Sequence, residues 1–69
     1  SKQGIFCMTV RCAKTHTTMK VRTESPQDFC TAMGLVFIRK FDDHFFEAED
    51  AGVKYLFEII TNEKGSILC

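Results

Sequence analysis

Apolar side chains recur at every second position in two stretches near the start of the chain. Phe6, Met8, Val10 and Cys12 alternate with Ile5, Cys7, Thr9 and Arg11, and Met19 and Val21 alternate with Lys20 and Arg22. A period of two sends successive side chains to opposite faces of a strand. The pattern therefore predicts two strands joined through the polar link Lys14–His16 as a hairpin. The period then breaks at Ser25, Pro26 and Asp28. Ser suits a helix N-cap, Pro the first helical position and Asp the third, so a helix is predicted to open here. Its end is ambiguous: Gly34 can cap it, or a stripe through Phe29, Met33, Phe37 and Phe41 can prolong it. The β-branched and aromatic content of "LVFIRKF" favours a strand after Gly34. Further on, "VKYLFEIIT" alternates again, and "NEKG" is expected to turn the chain into a returning strand "SIL".

This succession predicts an α+β fold, with one helix packed on a mostly antiparallel sheet. Residues 1–69 are expected to form one domain, since so short a chain holds a single core. A domain of about 60 residues hides only about 60% of the surface its unfolded chain exposes, so its stability is small. The ββαββ order with the "SPQDF" helix start, over roughly residues 4 to 61, resembles the ubiquitin-like β-grasp arrangement. That resemblance implies architecture and leaves function open.

The chain is neutral, with nine basic and nine acidic residues, yet the charge is unevenly placed. Residues 1–41 carry seven basic and two acidic groups, a net +5, and residues 42–69 carry seven acidic and two basic groups, a net −5. Such polarity either cancels when the halves interleave or serves as an address for a partner or a second copy. No run approaches the ~18 apolar residues of a membrane span. "SKQGIF" lacks the apolar core of a signal peptide, and Ser1 in place of Met is what a processed chain would show. An intracellular protein is favoured over a secreted one.

The densest chemistry lies in "FDDHFFEAED", Phe41 to Asp50. On a strand, His44 turns away from Asp43 and Glu47, which argues against a general base held by a carboxylate. The acids lack the D-x-[DN]-x-[DN]-G order of a calcium loop. Cys7, Cys12 and His16 lack the short C-x2-C spacing that aims two thiolates at one zinc ion. Separated by five positions, Cys7 and Cys12 sit on opposite strand faces roughly 16 Å apart. They can neither bridge each other nor share a metal, so any cross-links must pair them separately with Cys30 and Cys69. Reduced thiols are expected at all four positions, with Cys12 and Cys30 acting as small apolar groups. Cys30, near the helix start, has Asp28 beside it and no His close in sequence, a poor setting for a nucleophile.

Arg11, Lys14, Lys20 and Arg22 make a basic first hairpin, but no aromatic residue interleaves them for base stacking, which argues against nucleic acid. Phe45 and Phe46 occupy opposite faces of one strand, and a single short helix cannot cover both. A non-enzymatic interaction or self-assembly module follows as the expectation, without metal, cofactor or membrane. Its acidic contact would be Asp42, Asp43, Glu47, Glu49 and Asp50, opposed by Arg11, Lys14, Lys20 and Arg22, with Phe45 and Phe46 as the apolar contact. Its partner would be another protein or a second copy, in the way that small β-grasp interaction domains join head to tail. The alternatives are a secreted disulfide-bonded recognition domain and a nucleic-acid-binding domain using the first hairpin.

Overall fold

Helix α1, Pro26–Met33, is delimited at both ends by its own sequence. The Ser25 hydroxyl accepts the backbone N–H of Asp28 at 3.1 Å, and Pro26 fills the first turn, where no N–H is needed. Gly34 adopts φ 74°, a left-handed conformation that glycine reaches without Cβ strain. The Leu35 N–H donates to the Cys30 carbonyl at 2.8 Å and closes the helix. Eight residues are too few for a helix to persist alone in water. Packing of Phe29 and Cys30 against the sheet holds it.

The computed structural model describes residues 6–64. Strands β1 (Phe6–Cys12) and β2 (Thr18–Val21) precede the helix, and β3 (Val36–Lys40), β4 (Phe45–Asp50) and β5 (Val53–Lys64) follow it. They form one sheet in the order β2-β1-β5-β4-β3, and every neighbouring pair is antiparallel. The expected α+β architecture is present, with three strands after the helix. Alternation sorts the faces as the sequence implies. Met8, Val10 and Cys12 of β1, Phe46 and Ala48 of β4 and Phe57 of β5 point inward to Phe29 and Cys30.

Phe29 meets Phe46 and Phe57 edge-on, with ring centroids 5.7 and 5.8 Å away, while Phe46 and Phe57 stack at 5.2 Å. These are favourable aromatic geometries, and each ring also removes a large apolar area from water. Met19, Val21, Leu35, Phe37, Tyr55 and Ile59 border this cluster.

Two connections differ from the sequence expectation. The first hairpin turns over 13–17, not over Lys14–His16 alone, with His16 at φ 62° and its N–H donating to the Cys12 carbonyl at 2.8 Å. More consequentially, 62–64 do not turn. They remain in β5 and pair with β1 in the register Phe6↔Lys64, Cys7↔Glu63 and Met8↔Asn62. Ladder pairing with a distant strand overrides the local turn preference of Asn62 and Lys64. The expected return strand at 66–68 lies outside the described residues.

Phe29→Ala should lower stability by about 3 to 5 kcal/mol, the usual loss for truncating a buried aromatic, which rivals the whole stability of a small domain. Phe41, 53% exposed, should tolerate the same change within about 0.5 kcal/mol. Urea unfolding of the two variants checks the contrast.

Candidate interaction surface

The helix covers one face of the sheet. On the opposite, outer face, Arg11 of β1 stands beside Glu58 of β5, which stands beside Phe45 of β4. The next row places Leu56 of β5 beside Glu47 of β4 and Arg39 of β3, and the one above it places Lys54, Glu49 and Val36 side by side. Register shifts on both sides of the sheet. Ile60 is the extra residue of a bulge opposite Thr9/Val10, and Ile38 is the extra residue of another in β3. Bulges at such positions bend a strand and re-aim its side chains. Three large apolar residues of this face are open to solvent: Val36 at 62%, Ile60 at 41% and Leu56 at 40%.

Charges on and around this face are largely spent inside the molecule. Arg11 pairs with Glu58 at 3.0 Å, Arg39 with Glu47 at 3.3 Å and Lys40 with Asp43 at 3.5 Å. Each pair joins a base from the +5 segment to an acid from the −5 segment. The antiparallel ladder thus joins bases of the first segment to acids of the second at three places, as interleaving of the two halves would. Lys14 lies at the first turn over the Tyr55 ring, 5.6 Å from its centre. Lys20 is exposed on β2 and Arg22 is exposed just past that strand's end. Glu49 stands opposite Lys54.

Asp42, Asp43 and His44 lie in the β3–β4 turn and not on a strand. The Asp42 carboxylate accepts the backbone N–H groups of His44 and Phe45 at 2.7 and 3.0 Å. This carboxylate shapes the turn, as Asx residues do. The His44 carbonyl accepts the Ile59 N–H at 2.7 Å, so the turn is tied to β5 by backbone alone. Phe46 has no exposed area and belongs to the core, which removes it from the contact residues. Phe45, on the other face, stays half-buried. Leu56 and Ile60 of β5 are the large apolar residues exposed along the middle of this face. Their alternation was visible in the sequence, but which side of β5 the helix would cover was not.

A second feature opens on the helix side. A groove of about 330 Å³ lies between the helix end, the first turn and the β4–β5 hairpin, with Cys12, Met19, Met33, Leu35 and Tyr55 in its wall and Asp50 at its border. The hairpin turns tightly through Ala51 (φ 53°) and Gly52 (φ 81°), the two positive φ values that a two-residue hairpin loop of matching twist requires. Burial acts to raise the Cys12 thiol. Hydrogen bonds from the Thr15 side chain and from the Thr15 and Lys14 backbone, with the Lys14 charge nearby, outweigh it and hold the thiol below its ordinary value. Burial alone pushes the Cys30 thiol up. Both thiols are free and buried, whereas Cys7 is disulfide-bonded. The expectation of four reduced cysteines therefore fails at Cys7.

Among the described residues, no group of three His, Cys, Asp or Glu side chains converges as metal ligands would, and no helix is long and apolar enough to cross a membrane. No family model, curated protein or solved structure matches the chain.

Asp42→Ala should destabilise the domain by about 1 kcal/mol through two lost turn hydrogen bonds, and Asp43→Ala by less than about 0.5 kcal/mol, since its ion pair is exposed. Thermal melts of both variants give the comparison. A lowered pKa leaves more thiolate at a given pH, and thiolate is the reacting form. Iodoacetamide at pH 8 should therefore label Cys12, in the groove wall, before Cys30, with peptide mass mapping as the readout.

Proposed function

We propose that this chain is a non-enzymatic interaction module whose outer sheet face packs against a second copy of itself. One observation carries the reading: a single short helix covers one face of a five-stranded sheet, and the other face presents Val36, Leu56 and Ile60 to solvent. Exposed apolar residues gathered on one sheet face mark contact surfaces, and small domains with limited cores gain stability by association. β5 is the central strand, so a two-fold axis along it brings Leu56 and Ile60 of the copies together. The same axis lays β1 over β4 of the other copy and β2 over its β3. Glu58 stays neutralised near the axis by its own Arg11.

In this arrangement the apolar line supplies the affinity, because exposed ion pairs contribute only about 0 to 1 kcal/mol each and Arg11 and Glu47 are already paired within the chain. The disulfide at Cys7 supports a second element of the proposal, an oxidising compartment. Disulfides are frequent in small secreted domains and rare in the cytosol. A secreted recognition domain is thus favoured over the intracellular setting that composition suggested.

Sedimentation velocity should find an oligomer whose population changes little between 0.1 and 1 M salt, since screening shortens only charge interactions. Leu56→Asp with Ile60→Asp should sediment as a folded monomer with unchanged circular dichroism. A wild-type monomer at every concentration would reject self-assembly.

A further inference from the structure

The groove on the helix side is left unused by the outer-face contact. It exists because the cover is shorter than the sheet. Eight helical residues reach about 12 Å, whereas the twelve residues of β5 reach about 40 Å. Past Met33 the inner face therefore stands open, and Met33, 43% exposed, and Val53, 41% exposed, meet solvent there. Met19, Met33, Leu35 and Tyr55 give the groove an apolar wall, and unbranched thioethers adapt their shape to what they pack against.

Two negative features converge on this wall. Phe46 and Ala48 point inward, so alternation brings Asp50 to the same side of β4, at the border of the groove. Among the described residues no base pairs with its carboxylate. The other feature is the helix end itself. α1 finishes at Met33 in the groove wall, its C-terminal carbonyls carry partial negative charge, and no basic residue stands in its last turn. The wall already attracts one cation of the chain, since the Lys14 ammonium lies 5.6 Å from the centre of the Tyr55 ring.

We propose that this groove binds a small organic cation, an aromatic or branched apolar body bearing a protonated amine. The body packs on Met19, Met33, Leu35 and Tyr55, and the amine meets Asp50 beside the helix end. At about 330 Å³ the groove is at the small end of ligand clefts, which run from about 300 to 1,000 Å³. The ligand is accordingly the size of one ring with a short chain. A carboxylate of the same shape would bring like charge to Asp50, and Lys14 is already seated on Tyr55. Cys12 in the wall reports occupancy, because a ligand lying over it slows the approach of an alkylating agent. The site is on the opposite side of the sheet from Leu56 and Ile60, so it stands apart from the self-assembly proposal.

4-Phenylbutylamine, 4-phenylbutanol and 4-phenylbutanoate share one body and differ in charge, and amide NMR titrations of the isotopically labelled chain compare them at neutral pH. The amine should shift the amides of Met33, Leu35, Asp50 and Tyr55 saturably, with half-saturation on the order of 1 mM. It should bind about threefold more tightly than the alcohol and about tenfold more tightly than the carboxylate. Asp50→Asn should erase the amine's advantage over the alcohol. Met33→Lys, which sets an ammonium of the chain's own at the helix end, should weaken the amine about tenfold. Dispersed amide spectra verify that both variants fold, and the comparison of the three probes on the unaltered chain decides the matter even where a variant does not. Bound amine should also slow iodoacetamide labelling of Cys12. Carboxylate binding as tight as that of the amine, an amine affinity unchanged in Asp50→Asn, saturable shifts confined to the outer face, or no saturable shift at all would overturn the proposal.

Discussion

The contact of Phe29 with Phe46 and Phe57 is the constraint on which the rest of this small fold depends. It is reciprocal. The helix is too short to persist unless its buried stripe finds a surface, and the inner sheet face needs cover for Met8, Val10 and Phe57. Ser25 and Gly34 fix where the helix starts and stops, and Thr23 adds a further tie through its hydroxyl to the Ser25 carbonyl at 3.1 Å. The resulting economy has a structural corollary. Eight helical residues cover one side of five strands, so the other side must meet solvent or another chain.

That outer side shows how the sheet handles charge. β5 runs between β1 and β4, which places acids from the later half of the chain beside bases from the earlier half. Arg11–Glu58 follows directly from this adjacency, and Arg39–Glu47 from the pairing of β3 with β4. Neither is buried, so their main effect is to neutralise rows of like charge that would otherwise repel across strands. What remains prominent on the face is the apolar series at Val36, Leu56 and Ile60.

Much of the architecture was legible because it rests on local chemistry. The two-residue period of Phe6–Cys12 and Met19–Val21, the Ser25-Pro26 helix start and the Gly34 stop each encode their element within a few positions. Elements decided by distant partners were not legible. Asn62–Lys64 read as a turn until β1 paired with it. The carboxylate of Asp42 looked available for a partner, but its own turn occupies it. Phe45 and Phe46 were separable by alternation, yet only the placement of the helix decided which was core. The state of the thiols likewise depends on spatial neighbours: Cys12 and Cys30 are both buried and free, and only the environment of Lys14 and Thr15 makes Cys12 the more acidic.

The pairing of β1 with β5 bears on how the domain comes into being during synthesis. The first strand leaves the ribosome before every other element of the sheet, and its central neighbour leaves after them. Until then β1 has only the four-residue β2 beside it, and its other hydrogen-bonding edge is unoccupied. Contacts this remote in sequence slow folding, because a long loop must close before they contribute. Nascent chains therefore pass through an interval in which the edge of β1 is open to strands of neighbouring chains. A sheet whose adjacent strands β1 and β5 come from opposite regions of the domain makes synthesis of β5 the step that closes its own most aggregation-prone edge.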